Sequence, residues 1–472
     1  MMPPTATSLS FEALPNPRGG AVRFAESVLA DAAHAFAQRE DLAAPLLRAA
    51  HALREAGWLA AQRFTDALVL VSPLAAAHVQ PEAAPGDSAR DVFGAALDDF
   101  RAAVVRRNLR ELSCSPALFA HYRALNALLA QRTSGVSAAF EDLALAGRPI
   151  PPVTLRPQSA ERVAHLRARY EAALLPVLRA PSGETPQNGV SSAALDTLGA
   201  CLAELAGPDP YDFWRLAAAC ADALRRSGHT AAEAEVRRFH ARCNLALADQ
   251  VHGLPLAPRS LVRAALALLW RDYALFGAAA EDADHVELLR NYGLTTDWHV
   301  AGTQASEALW EAGAAGADAA LPVGGAGTRE VGVLTVNAHA FEDFLQTADA
   351  SIAALSDHAR AAVQPEKTDP TAALQAGDAA YRLGASASAL GLGHVGLLAD
   401  ALGVAWRRRA HAGVTTPAVR AHLVVDAPES HMLEQAAEAL RAMLHKIAAG
   451  IPPGDGGGAL ADLTRAIERG NP

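Results

Sequence analysis

Several residue types that mark particular protein classes are scarce in this chain of 472 residues. It has only four cysteines, widely spaced and without a CxxC pair, which argues against a disulfide scaffold or a zinc site. The same cysteine usage fits a reduced, cytoplasmic setting. Aromatic residues make up 5% of the chain, and β-branched residues are scarce, whereas alanine and leucine are abundant. This composition predicts an all-α protein.

The sequence also has neither an excess of positive charge nor a long apolar run. Its formal net charge is −10 and its pI is about 5.9, so nothing draws the whole chain to nucleic acid or to an anionic membrane. The one dense basic run, 407–409, predicts a solvated helix end. The longest apolar run, 67–79, is too short to span a bilayer, and residues 1–17 do not have the pattern of a signal peptide. We therefore expect no nucleic-acid binding and no membrane insertion.

Motifs that mark common catalytic sites are missing from the sequence. It contains no HExxH, no GxSxG and no cluster of histidine, cysteine and aspartate. A glycine-rich run at 324–328 has no preceding strand and no following lysine, so it indicates a linker and not a phosphate-binding loop. The sequence therefore predicts no catalytic residue, no bound metal and no cofactor.

Helical periodicity and Pro/Gly-rich breaks divide the chain into three helical blocks. The predicted parts are a flexible leader at 1–20, a first helical domain at 21–180, a linker at 181–192, a second helical domain at 193–312, a linker at 313–332, a third domain at 333–451 and a tail at 452–472. In the second domain, Asp209 and Pro210 predict the N-cap and first position of a helix. Four tryptophans are expected to anchor cores: Trp214, Trp270, Trp298 and Trp406.

The third block has the pattern of a four-helix bundle. Its first helix carries apolar residues at helical spacing from Phe341 to Leu355, and three further helices of comparable length follow. In the second helix, Leu383, Ala387 and Leu390 form the buried stripe. Tyr381 lies about 200° round the helix from Leu383, so we expect it on an exposed face together with Gly384, Ala385 and Ser388.

This second helix resembles the central helix of a histidine phosphotransfer (Hpt) domain, whose pattern is A-H-x-L-K-G-S-A-x-x-L-G-L. The positions that match are Ala380, Leu383, Ser386, Ala387, Leu390, Gly391 and Leu392. The phosphorylatable histidine of that pattern is replaced by Tyr381, its lysine by Gly384 and its glycine by Ala385. The resemblance implies a degenerate Hpt-like bundle that cannot carry a phosphate at this position. Its remaining small face implies a docking surface for a protein partner.

Three further segments, at 140–157, 235–269 and 285–294, resemble segments found in the same order in one family. This is the N-terminal region of the CheA-type hybrid kinases of type IV pilus chemosensory systems (ChpA and PilL) and its stand-alone, FimL-like relatives. The resemblance covers roughly 21–450. It implies a cytoplasmic scaffold acting in pilus-based motility and, in some relatives, in cyclic-AMP signalling. The partners implied are a response-regulator receiver and a polar hub protein.

Three functions stay open on the sequence. The first is the non-catalytic adaptor just described. The second is an active phosphorelay intermediate that uses His51 or another histidine. Against His51, Glu55 stands one helical turn away and would repel an incoming phosphoryl group. The third is a purely structural, self-associating spacer.

Overall fold

The computed structural model confirms an all-α protein of tandem helical bundles. It describes residues 20–76, 88–106, 109–131, 139–180, 189–228, 230, 233–276, 280–296, 328–331, 334–362, 369–414, 427–449, 451 and 456–470. One short antiparallel hairpin is added to the helices, with Thr328 opposite Asn337 and Val331 opposite Leu334. The hairpin lies at the end of the predicted second linker and the start of the third domain, where no strand was expected.

The helices of the first part are α1 (Gly20–Gln38), α2 (Ala43–Glu55), α3 (Leu59–Ala76), α4 (Ala89–Arg106), α5 (Leu109–Cys114), α6 (Pro116–Ala130), α7 (Phe140–Ala144) and α8 (Ala160–Arg179). Next come α9 (Gly189–Leu205), α10 (Phe213–Arg226), α11 (Ala234–Val251), α12 (Arg259–Phe276), a 3-10 turn (Ala280–Asp282) and α13 (Ala283–Asn291). After β1 (Thr328–Val331) and β2 (Leu334–Asn337) come α14 (Ala338–Ala362), α15 (Pro370–Ala389), α16 (Gly393–Val414), α17 (Ser430–Ala448) and α18 (Gly457–Ile467).

Two hydrophobic cores organise the described residues. One runs continuously from α1 to the end of α13, so the predicted first and second domains contribute to the same core. The other is formed by α14 to α18, with the expected stripe from Phe341 to Leu355 packed into it. Since apolar side chains cluster once per folding unit, the C-terminal bundle is the part with a core of its own.

Some local predictions are confirmed and others are wrong. Trp214, Trp270 and Trp406 are fully buried, as expected for core anchors, whereas Trp298 lies outside the described residues. The helix at 213 is capped by Asp212, whose carboxylate accepts a hydrogen bond from the Trp214 amide, so the prediction of Asp209 as N-cap is wrong.

The C-terminal segment differs from the tail expected at 452–472. It contains α18, in which Leu463 and Ile467 are buried against the bundle. The sequence predicts a tail here because the start of the segment is rich in glycine and proline, although a short amphipathic helix follows. Among the described residues, no helix is long and apolar enough to cross a membrane.

Candidate functional site at the Tyr381 helix

The helix that carries Tyr381 begins at Pro370, with Asp369 as its N-cap. The Asp369 carboxylate accepts a hydrogen bond from the Thr371 amide at 2.9 Å, and Pro370 occupies the first turn, where its missing N–H is not needed. Leu383 and Ala387 are fully buried, as the apolar stripe predicts. The stripe faces the core of the C-terminal bundle.

The opposite side of α15 is buried as well, which corrects the exposure predicted for it. Tyr381 is only 6% exposed, and Gly384, Ala385 and Ser388 are also buried. We call these four residues the Tyr381 face. The prediction of an exposed face is wrong because two helices cover it, the next helix of the same bundle and a helix about 90 residues earlier in the chain.

The first of these covering elements is α16, which lies against α15 along a seam of glycines. A Cβ atom added at Gly403 would lie 2.2 Å from the ring of Tyr381, and one added at Gly384 would lie 2.3 Å from the Asp400 carboxylate. Real Cβ atoms do not approach other atoms so closely, so neither site has room for a larger residue without rearrangement. The lysine of the phosphotransfer pattern is therefore replaced by a glycine whose space Asp400 fills.

The second covering element is α13, which closes over the phenol. The hydroxyl of Tyr381 donates a hydrogen bond to the main-chain carbonyl of Arg290. Burial raises the pKa of Tyr381 well above its usual range, with the nearby Arg407 guanidinium opposing part of this effect. Tyr381 therefore lies inside a helix–helix contact, in which its hydroxyl is a hydrogen-bond donor.

Arg407, on α16, stabilises the same contact between α13 and α15. Its guanidinium lies 5.4 Å from the centre of the Tyr381 ring, donates to Glu287 at 2.5 Å and to Asn291 at 3.3 Å, and also pairs with Asp378. The side chain is 3% exposed, so the predicted solvated helix end at 407–409 is wrong at this residue. A buried guanidinium keeps its charge only when it is paired, and here the pairs join α13, α15 and α16.

A buried ion pair ties the first domain to the same region. Arg148 donates to the Asp400 carboxylate at 2.6 Å and to the carbonyl of Gly293 at 3.1 Å, and it stacks over the Trp270 ring. Burial raises the pKa of Asp400, an effect that Arg148 opposes. The other Asp400 oxygen, Oδ1, is buried without a hydrogen-bond partner among the described residues. Asp400 therefore depends on Arg148 to stay ionised at this depth.

The turn after α15 is also held by the first domain. The indole N–H of Trp58 donates to the carbonyl of Gly391 at 2.9 Å, and the Nε2–H of His394 donates to the carbonyl of Glu55 at 2.8 Å. His394 thus links the start of α16 to the end of α2. Both ends of the Tyr381 face are fixed by parts of the chain outside the C-terminal bundle.

His51, the other candidate phosphoacceptor, stands in a different environment. Its side chain lies on α2, is 74% exposed and has Glu55 at 3.9 Å. The structure does not bring it near Tyr381 through any described contact. Within the described part of the chain, no group of three or more histidine, cysteine, aspartate or glutamate side chains could hold a metal ion.

Residues 156–305 match the family model described as the FimL scaffold protein second domain. The chain therefore contains a FimL-like second domain. The matched range includes α8 to α13, so the helix that closes the Tyr381 face belongs to the FimL-like second domain. No curated protein and no solved structure matches the chain.

The sequence alone does not indicate the residues that cover the Tyr381 face or hold it in place, which are Arg148, Glu287, Arg290, Asp400 and Arg407. One signal was available for the seam. Gly377 and Gly384 are seven residues apart on α15, and Gly396 and Gly403 have the same spacing on α16. Glycines repeated at this interval lie on one side of a helix and allow a neighbouring helix to approach closely.

Proposed function

We propose that the chain is a non-catalytic signalling scaffold of a type IV pilus chemosensory system, acting in twitching motility and on cyclic-AMP signalling. The match to a FimL scaffold protein domain supports the scaffold-type role. The pilus context, the cytoplasmic and polar location, and the partners are proposals that follow from the family resemblance. Those partners are a response-regulator receiver and a polar hub protein.

The observation that carries this proposal is the closure of the Tyr381 face. At the position where an Hpt domain exposes its histidine, this chain buries a tyrosine and bonds it to Arg290. Phosphoryl transfer needs an accessible nucleophile within bonding reach of the donor. Here the same helix joins two parts of a scaffold, and we assign to it the role of holding those parts in one arrangement.

Docking of a receiver at the Tyr381 face then requires that face to open. The contacts that would separate are those of α13 with Tyr381 and Arg407. A partner that binds the open form must supply the free energy that these contacts now contribute, so the closed form binds it more weakly. Replacing Glu287 with alanine should favour opening and raise receiver affinity, whereas Asp357→Ala, which removes a surface carboxylate paired with Arg360, should leave it unchanged.

Two measurements on the full chain test the proposal. The chain is first mixed with the receiver and the hub protein of a pilus system, and binding is measured by calorimetry. It is then incubated with a receiver whose own phosphoryl group carries the label. Binding without acid-labile label is expected. The absence of binding to both proteins, in a chain with a cooperative unfolding transition, would contradict the scaffold role.

The alternative of an active phosphorelay is favoured by one observation, the exposure of His51. The same labelling assay decides it. Acid-labile, base-stable label that disappears in His51→Gln would replace our proposal with a phosphotransfer function. Tyr381→His alone should stay unlabelled, because Asp400 occupies the space of the missing lysine and α13 still covers the position.

A further inference from the structure

A groove of about 230 Å³ lies far from the Tyr381 helix in sequence, at the junction of the first and second domains. Residues of α6, α7, α11 and α12 line it. Ligand pockets occur preferentially where two structural units meet. The groove shares no residue with the Tyr381 face.

Residue size explains why the groove exists. Ala127 on α6, Ala234 on α11 and Ala264 on α12 stand where larger side chains would close the gap. The lining also includes Phe119 and Phe140, whose rings meet edge to face with their centres 5.0 Å apart. The result is an apolar slot with roughly the volume of one large side chain, smaller than the range of about 300–1,000 Å³ usual for small-molecule sites.

The charges at the rim are unevenly matched. Glu235 pairs with Arg271 at 3.1 Å, and Glu141 has Arg242 at 3.9 Å, so both carboxylates already face a guanidinium.

Two further arginines of the rim, Arg123 and Arg238, are exposed. Neither has a carboxylate within ion-pair distance in the described parts of the chain. In a chain of net charge −10, two unmatched guanidinium groups beside an apolar slot form a local positive site.

We propose that this groove binds an acidic segment of a protein partner, with one bulky apolar side chain in the slot and carboxylates on Arg123 and Arg238. Guanidinium groups pair bidentately with carboxylates, and binding hot spots are enriched in arginine and in buried aromatic side chains. The slot is sized for one side chain, which favours a peptide segment over a free metabolite. The inference rests on the scaffold role and specifies the chemistry of one partner.

The probe for this site is a short synthetic peptide with a single tryptophan flanked by glutamates, and its binding to the full chain is measured by fluorescence anisotropy. We expect saturable binding that weakens as salt is raised, because exposed charge pairs are screened. Two control peptides, one with alanine for tryptophan and one with lysines for glutamates, should bind at least about tenfold more weakly.

Two variants of the chain assign the binding to the groove. The double variant Arg123→Glu and Arg238→Glu should weaken binding at least about tenfold through the charges. Ala127→Trp should do the same by filling the slot, and Ala127 is exposed enough to accept the larger side chain. The matched control is Arg360→Glu with Arg465→Glu, which makes the same change in net charge at two exposed helical arginines remote from the groove.

No saturable binding to the folded chain, or equal binding to the wild type and both groove variants, would overturn the inference. The same variants are also tested against the receiver and the hub protein. If the peptide result fails while the chain still binds either protein, the groove assignment is wrong and the scaffold role stands. If no protein partner binds at all, the scaffold role itself fails.

Discussion

Two helices of this chain offer a residue at a phosphoacceptor-like position, and they have opposite properties. On α15, Tyr381 sits within most of the Hpt pattern but is buried under α13 and α16. On α2, His51 has the right chemistry and is 74% exposed, but its helix lacks the pattern and places Glu55 beside it. The chain therefore has most of the Hpt sequence pattern on α15 and an accessible imidazole on α2. Similarity to a catalytic motif and access to a substrate are separate properties, and neither helix combines them.

The largest expected effect on this comparison comes from Arg148→Ala. The change leaves the Asp400 carboxylate buried without its partner, and losing one member of a buried pair costs about 3 kcal/mol of unfolding free energy. Urea denaturation followed by circular dichroism measures the loss. Arg360→Ala, which removes an exposed arginine, should change stability by no more than about 0.5 kcal/mol. Equal stability of the two variants would show that Arg148 does not support the Tyr381 region.

The same variant should depend on pH in a defined direction. Burial raises the pKa of Asp400, and removing Arg148 should raise it further, so the variant binds a proton on folding at pH values between the unfolded-state and folded-state pKa of this carboxyl. A raised folded-state pKa means that stability is retained at low pH and is lost as pH rises through that pKa. The deficit of Arg148→Ala relative to the wild type should therefore be full at neutral pH and shrink in acid. A deficit that does not change with pH would contradict this role of Asp400.

Gly403→Ala is expected to have the next largest effect. The added Cβ would meet the Tyr381 ring at 2.2 Å, and overpacking of this kind costs about 2 kcal/mol. Gly199→Ala is the matched control, because Gly199 lies within α9 with nothing within 4 Å of its added Cβ, and alanine there should be neutral or stabilising. If both variants unfold at the same urea concentration, the seam between α15 and α16 is looser than the structure indicates.

Tyr381→Phe isolates the hydroxyl. The variant keeps the ring and removes the hydrogen bond to the Arg290 carbonyl, which should cost about 1 kcal/mol. Thermal and urea unfolding measure it. A variant as stable as the wild type would show that the phenol does not fasten α13 to the bundle.

Features of the fold and of the site that depend on residues close together in the sequence could be predicted from it, whereas those that depend on contacts between distant residues could not. The stripe of Leu383, Ala387 and Leu390 follows from helical periodicity alone, and so does the all-α fold. The burial of Tyr381 does not follow from periodicity, because its partner Arg290 is 91 residues away in the sequence. The periodicity of α15 indicates only the stripe of residues that faces its own bundle. The sequence predicts a solvated helix end at 407–409 for the same reason, since the partners of Arg407 lie on other helices.

The smallest expected effect belongs to His51→Gln. An exposed histidine with one carboxylate at 3.9 Å contributes little to folding, so the change should stay within about 0.5 kcal/mol. Receiver binding should also be unchanged. Loss of binding in this variant would move the signalling site from the C-terminal bundle to α2 and reverse the comparison.

The most direct test of the closed Tyr381 face is hydroxyl-radical footprinting of the intact chain, read residue by residue by mass spectrometry. Tyrosine is intrinsically a readily oxidised side chain, so its protection reports burial, and exposed His51 serves as the reference in the same sample. If the Tyr381 face is closed, Tyr381 should be protected while His51 is modified, and Glu287→Ala should increase the modification of Tyr381. Rapid modification of Tyr381 in the wild type would contradict it.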